Sequence, residues 1–463
     1  KVYSHLGMHA RRKRRGEDVT IVVAGCVAQQ EGERLLRRCP EVDVVMGPQY
    51  ANRIAEVLEA ARLGEQIVAT AATYTMEDVA KPRRSSQVCA WVNVAHGCNE
   101  RCTYCVVPST RGVEQSREPT AILKELFDLG EQGFSEATLL GQNVDAYGRD
   151  MTPRRTFADL LQAAAQQAEL GSSGLRRIRF VTSHPRYISD RVVDVVASHP
   201  DVLTPVFHIP AQSGDDEMLR LMGRGYTVQR YLTIIQRIRA ALPDATITSD
   251  FIVGCPGETE EMFQKTLDLM RIVKFDSCMT AAYSPRPGTP MARWDGASVA
   301  FESLGVDITR SSIVDELRTA VDHSYRALAK IHHPDASSSS GDSKVWLDLV
   351  EAKRVATAKL DEVARKPLGA FPPLSEIGPH QVDEETKERR ILAINELATE
   401  HALERSQRYL GRVEEVLVEH RHTRRPTQVV GRTQGNKLVF INGTDDLINT
   451  IVNVEVTEAN AYS

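Results

Sequence analysis

Three cysteines, Cys98, Cys102 and Cys105, follow a short run of residues typical of a β-strand. Their spacing, Cys-x3-Cys-x2-Cys, places three thiols on one loop, where they can bind three irons of a [4Fe–4S] cube. The fourth iron would stay open to a small molecule, as a cluster that carries out chemistry requires. Structural zinc with a distant fourth ligand, or three free thiols, are the alternatives that this pattern leaves open.

The cysteine loop lies near the start of a segment in which strand and helix patterns alternate. Six runs in this segment are typical of strands: Ala90–Ala95, Glu136–Leu140, Arg177–Thr182, Val206–Ile209, Ile247–Val253 and Asp276–Ala282. This alternation predicts an α/β fold, a partial (β/α) barrel whose working edge is formed by the carboxyl ends of the strands.

The patterns divide the chain into five predicted segments. A small α/β domain is expected over 1–72, the barrel core over 84–295, and a helical insertion with its linker over 296–380. A helix over 381–405 returns to the core. Short strands and turns over 406–463 are typical of a small β-barrel.

Composition limits the class of protein. A chain of 463 residues exceeds one ordinary core, and its net charge of −5, from 57 basic and 62 acidic residues, argues against a general polyanion binder. A local basic patch could still bind RNA. The sequence contains no run of 18 apolar residues, so it predicts no membrane span. The clustering of three of the eight cysteines favours metal binding in a reducing compartment over a disulfide scaffold.

The residues around the cysteines resemble the radical S-adenosylmethionine (radical SAM) superfamily, including the aromatic Tyr104 before the last cysteine. The chain is similar more closely to the methylthiotransferases, and among them to the MiaB-type tRNA enzymes. The matching stretches are HGCNERCTYCVVPSTRG, LLGQNVDAYG, RIRFVTSHP, IPAQSGDDEMLRLMGRGYT, SDFIVGCPGET and YSPRPGTP. The resemblance covers nearly all of the chain except 296–380.

The resemblance implies that the cluster on Cys98, Cys102 and Cys105 binds S-adenosylmethionine and cleaves it to methionine and a 5′-deoxyadenosyl radical. The electron would come from a donor such as flavodoxin or ferredoxin. The residues that match the cofactor pocket of the family are Gly141, Gln142, Asn143, Gln212, Ser213, Gly254, Gly257 and Glu258. For the stretch 141–143, an ordinary strand-ending turn is an equal alternative.

Methylthiotransferases resemble one another in an N-terminal domain that binds a second [4Fe–4S] cluster through three further cysteines. Here Cys26, in AGCVAQQ, matches the third of these ligands. The first two would lie before Lys1, so we expect this chain to be a piece of a longer protein and its second cluster to be incomplete. A degenerate enzyme is the less favoured alternative.

Residues 406–463 resemble a TRAM domain, a small barrel that binds RNA. Its basic run HRHTRR contains Arg424 and Arg425, which we expect to contact phosphates. The insertion resembles a J-domain through His333, Pro334 and Asp335, which implies Hsp70 as a partner. A J-like spacer without a partner is an equal alternative.

Taken together, the resemblance implies a tRNA methylthiotransferase that adds a methylthio group to C2 of N6-isopentenyladenosine next to the anticodon. The rivals are methylthiolation of threonylcarbamoyladenosine in tRNA or of a ribosomal-protein aspartate, and a non-catalytic scaffold that binds RNA and a chaperone. We expect a soluble protein in the cytoplasm or in an organelle (mitochondrion or plastid), with no targeting segment in this chain.

Overall fold

The computed structural model describes residues 2–71, 83–84, 86–171, 174–294 and 382–461. The predicted J-domain-like insertion, with His333, Pro334 and Asp335, lies outside these residues. The described parts form two compact units: the first contains residues 2–71 and 106–113, and the second contains the rest. Among the described helices, none combines the length and the apolar character that crossing a membrane requires.

The first unit is a small α/β domain. Its helices are α1 (Val2–Arg14), α2 (Cys26–Glu31), α3 (Glu33–Arg38), α4 (Ile54–Arg62) and α5 (Val107–Arg111). Its strands β1 (Val22–Ala24), β2 (Val44–Met46) and β3 (Ile67–Ala69) pair in parallel in that order. The strands carry β-branched residues because both faces of this sheet pack against helices.

The barrel strands of the second unit are β4 (Cys89–Asn93), β7 (Glu136–Leu140), β8 (Arg177–Phe180), β9 (Val206–His208), β10 (Thr246–Val253) and β11 (Ser277–Ala282). Two short strands, β5 (Ala95–His96) and β6 (Gln115–Ser116), form a separate antiparallel pair. Its helices are α6 (Pro119–Glu131), α7 (Phe157–Glu169), α8 (Asp190–Ser198), α9 (Asp216–Leu221), α10 (Val228–Ala241), α11 (Glu260–Val273), α12 (Pro290–Trp294) and α13 (Glu384–Gln407).

Within the described residues, the long strands form two parallel sheets, β4-β7-β8 and β9-β10-β11. A bridge between Ile178 and Leu203 joins them, so six parallel strands follow one another in chain order. This is the predicted partial (β/α) barrel, and the predicted α/β fold class is confirmed. Helix α13 packs against β11 and α11, where it covers the edge of the second sheet.

The chain ends in a curled antiparallel sheet with the order β14-β13-β12-β15. Its strands are β12 (Val413–Arg421), β13 (Gln428–Thr433), β14 (Leu438–Asn442) and β15 (Ile451–Glu455). Two buried arginines of β8 hold this sheet against the barrel. Arg177 donates to the backbone oxygen of Arg432 and to Oε1 of Glu415, both at 2.8 Å, and Arg179 donates to the backbone oxygen of Thr433 at 3.0 Å.

Replacing Arg177 with methionine should lower the free energy of unfolding by about 2–3 kcal/mol, because the buried guanidinium satisfies backbone oxygens of the C-terminal sheet. Arg177 is 1% exposed, whereas its neighbour Arg176 is exposed. Urea unfolding of the full chain should therefore show a loss for Arg177→Met and almost none for Arg176→Met. Equal losses for the two variants would contradict this account of the contact.

Candidate active site

The loops that follow the barrel strands meet at one edge, since parallel strands bring their carboxyl ends together. The cysteine loop follows β5, and Thr103 fixes it there. The hydroxyl of Thr103 donates to the backbone oxygen of Leu221 at 2.7 Å, and its backbone N–H donates to that of Met222 at 2.9 Å. The three cysteines are therefore held beside the loop that follows α9.

Cys102 is buried, and Cys98 and Cys105 are partly buried. Burial raises the pKa of the Cys98 thiol to about 12; the backbone N–H of Glu100 opposes this shift, and the nearby thiols of Cys102 and Cys105 add to it. Such a thiol becomes a thiolate when a metal supplies positive charge. Among the described residues, no three His, Cys, Asp or Glu side chains are arranged to hold a single metal ion; in a [4Fe–4S] cube, each thiolate binds a different iron.

A buried arginine contacts the cysteine loop. Arg224, which is 5% exposed, donates from Nη1 to Sγ of Cys102 at 3.5 Å and from Nη2 to the backbone oxygen of Pro210 at 2.9 Å. Its Nε donates to the hydroxyl of Tyr226 at 3.1 Å. Arg224 was not among the site residues predicted from the sequence, although it lies in the matching stretch IPAQSGDDEMLRLMGRGYT.

Four of the residues that match a cofactor pocket carry a buried oxygen without a hydrogen-bond partner among the described residues: Oε1 of Gln142, Oδ1 of Asn143, Oε1 of Gln212 and Oε1 of Glu258. Gln212 also has a φ of 70°, a left-handed conformation that is rare outside glycine and clusters at ligand sites. Gly141 lies close to β5, where an added Cβ would be 3.6 Å from the backbone oxygen of Ala95.

Ser213, Gly257 and Glu258 make contacts that hold the scaffold. The hydroxyl of Ser213 lies 3.3 Å from that of Thr266, and Gly257 has a φ of 84° that suits its tight turn. Glu258 accepts from the backbone N–H of Gly254 at 2.5 Å and from Nη1 of Arg390 on α13 at 2.7 Å. These contacts fix the loop after β10 to α13.

His184 lies among the same loops. Its Nδ1 accepts from the backbone N–H of Arg186 at 3.2 Å, and its Nε2 is buried without a partner among the described residues. Burial, with the charges of Arg224 and Arg186, lowers the pKa of His184 to about 2. The ring is therefore neutral at physiological pH, with its proton on Nε2 as a hydrogen-bond donor.

The remaining predicted site residues lie elsewhere. Cys26 is partly buried at the first residue of α2, in the first unit. Arg424 and Arg425 are exposed between β12 and β13, and their backbone N–H groups donate to Nδ1 of His422 at 3.0 and 3.2 Å. The ring of His422 lies 5.4 Å from that of the half-exposed Phe440, so basic and aromatic groups share this surface.

The donor set at the barrel edge fits the two groups that the resemblance implies. Three thiols on one pinned loop suit iron, and the unpartnered oxygens of Gln142, Asn143 and Gln212 suit a ligand that carries hydrogen-bond donors, as the amino and ribose groups of S-adenosylmethionine do.

Comparison with known proteins agrees with this fold. Residues 92–270 match the Radical SAM superfamily, and residues 407–463 match the TRAM domain. One similar structure is the radical S-adenosylmethionine methyltransferase TsrM from Kitasatospora setae, with cobalamin and a [4Fe-4S] cluster bound. It has 16% sequence identity and a TM-score of 0.50, over 67% of this chain and 62% of that one. The present chain thus spans about three fifths of TsrM.

A second similar structure is the cobalamin-dependent S-adenosylmethionine radical enzyme OxsB with aqua-cobalamin and S-adenosylmethionine bound. It has 12% sequence identity and a TM-score of 0.49, over 88% of this chain and 69% of that one. The two family matches show that the chain contains a radical SAM domain and, after it, a TRAM domain.

Proposed function

We propose that this chain, with its radical SAM and TRAM domains, is a tRNA methylthiotransferase that adds a methylthio group to C2 of N6-isopentenyladenosine next to the anticodon. The observation that carries the proposal is the presence in one chain of a pinned three-cysteine loop and an RNA-binding type of domain. The methylthio group and the nucleoside come from the resemblance of the loop sequences to MiaB-type enzymes.

In this proposal, Cys98, Cys102 and Cys105 bind three irons of a [4Fe–4S] cluster at the carboxyl edge of the strands. When bound, the cluster and S-adenosylmethionine supply the one-electron chemistry that an aromatic C–H bond requires. Gln142, Asn143 and Gln212 orient the polar groups of S-adenosylmethionine through their unpartnered side-chain oxygens.

Two further parts of the chain bind the tRNA and the second cluster. Arg424 and Arg425, exposed on the TRAM domain, contact phosphates of the tRNA, which makes binding weaker at high salt. Cys26 is a ligand of the second cluster, which supplies the sulfur. Electrons come from a donor such as flavodoxin or ferredoxin.

The test is anaerobic reconstitution of the full-length protein with iron and sulfide, followed by incubation with S-adenosylmethionine, a reductant and tRNA that contains N6-isopentenyladenosine. We expect release of 5′-deoxyadenosine and a 2-methylthio nucleoside, detected by mass spectrometry of the digested tRNA. A product methylated without sulfur would replace the proposal with a methyltransferase. Modification of threonylcarbamoyladenosine or of a protein aspartate would change the substrate.

A further inference from the structure

Two arginines lie against one tyrosine at the edge of the barrel that carries the cysteines. The guanidinium carbon of Arg149, in the loop after β7, lies 4.4 Å from the centroid of the Tyr187 ring. That of Arg186, in the loop after β8, lies 5.6 Å from the same centroid. Cation–π contacts of this kind hold a guanidinium in place while its N–H donors stay available.

The charge of Arg149 is not neutralised by an ion pair. Arg149 is exposed and forms no ion pair with any residue that the structure describes. Arg271 on α11 differs in this respect, because it pairs with Asp268 at 2.7 Å. The charge of Arg149 opposes the rise that burial causes in the pKa of Glu114, but the two side chains form no ion pair. An exposed guanidinium that is held in place without an ion pair is suited to a phosphate.

Arg186 has a carboxylate partner, but a weak one. Its Nη1 lies 3.6 Å from Oε2 of Glu100, and its side chain is 52% exposed. Glu100 is also held by the hydroxyl of Tyr187, which donates to its Oε1. Glu100 lies between Cys98 and Cys102, so its contacts with Arg186 and Tyr187 connect these two residues to the cysteine loop. A phosphate at Arg186 would compete with the Glu100 carboxylate.

We propose that Arg149, Tyr187 and Arg186 form a binding site for RNA phosphate at the mouth of the barrel, and that Glu100 weakens this binding. The site rests on the proposed function, because its ligand is the backbone of the tRNA whose base enters the barrel. The chain carries a net charge of −5, so attraction of RNA depends on local groups such as these. The two guanidinia would fix the position of the strand, since phosphate contacts set register and orientation.

The experiment uses the full chain and a fluorescently labelled anticodon stem–loop RNA, with anisotropy measured over a series of salt concentrations. Arg149→Gln and Arg186→Gln should each weaken binding about three- to tenfold at low salt and reduce the salt slope by about 0.7–0.9. Glu100→Gln should tighten binding about two- to threefold, since glutamine keeps an acceptor for Tyr187 without the competing charge.

Arg271→Gln is the matched control. The side chain of Arg271 is 52% exposed, as is that of Arg186, but it lies in the last turn of α11 and not in a loop at the edge that carries the cysteines. Affinities for Arg149→Gln and Arg186→Gln equal to that of Arg271→Gln would overturn the inference, and so would weaker binding by Glu100→Gln. If the wild-type chain does not bind the RNA, both the proposed function and this site fail. Wild-type binding with unaffected variants removes only the site.

Discussion

Replacing Cys102 with alanine is expected to abolish both iron binding by the cysteine loop and release of 5′-deoxyadenosine. Two remaining thiolates cannot hold a cube that needs three, and Cys102 is 8% exposed, so solvent cannot readily supply a substitute ligand. After anaerobic reconstitution, iron at this site should fall from about four atoms per chain to nearly none. Iron analysis and the electron paramagnetic resonance spectrum measure the first effect, and chromatography of deoxyadenosine measures the second.

Cys278→Ala is the control for the loss of a thiol in the same unit. Cys278 lies within β11, outside the cysteine loop. This variant should keep the iron and the cleavage activity of the wild type. Wild-type iron content and cleavage in Cys102→Ala would contradict the assignment of the cysteine loop. Zinc in place of iron in the purified wild-type protein would favour the structural-zinc alternative.

The elements that position the site were predictable because their signals are local. A parallel strand covered on both faces favours runs of apolar or β-branched residues, and such runs occur in β7 (ATLL) and at the end of β10 (FIV). The cysteines follow a predicted strand within a few residues, so their place at the carboxyl edge follows from the order of the elements alone. For the same reason, the α/β fold class could be predicted.

The roles of individual polar residues were less predictable. The resemblance gave Gln212 and Glu258 equal standing as cofactor residues. The structure leaves Oε1 of each without a partner among the described residues, but it also pairs Oε2 of Glu258 with Arg390, which gives Glu258 a role in holding the scaffold. Arg390 lies 132 positions further along the chain. Spacing in the sequence does not reveal such a partner, because the packing of α13 against the barrel brings it there.

The two arginines of β8 show the same limit. The run RIRF predicted a strand, and β8 is one. Charged residues in a strand are usually exposed, but Arg177 and Arg179 are buried because they donate to backbone oxygens of the C-terminal sheet, about 255 positions away. A single sequence does not show that a second sheet covers them.

Arg224→Leu is expected to lower the reduction potential of the cluster by about 60–130 mV, which corresponds to the loss of a charge-assisted hydrogen bond of about 1.5–3 kcal/mol. The sign follows from charge. A guanidinium that donates to Sγ of Cys102 stabilises the more negative, reduced cluster, so its removal makes reduction harder. Release of deoxyadenosine should slow about tenfold or more with the same electron donor.

The potential is measured by redox titration monitored with electron paramagnetic resonance, and iron content shows whether the cluster is fully assembled. Arg220→Leu is the control: Arg220 lies four positions earlier, its side chain is 53% exposed, and it pairs with Glu217 on the same helix. Arg224→Lys keeps the charge but cannot contact Cys102, Pro210 and Tyr226 together, so its potential should fall between those of the wild type and Arg224→Leu. A fully assembled Arg224→Leu cluster with the wild-type potential would show that the contact with Cys102 does not tune the cluster, and would leave Arg224 the role of holding the loop through Pro210 and Tyr226.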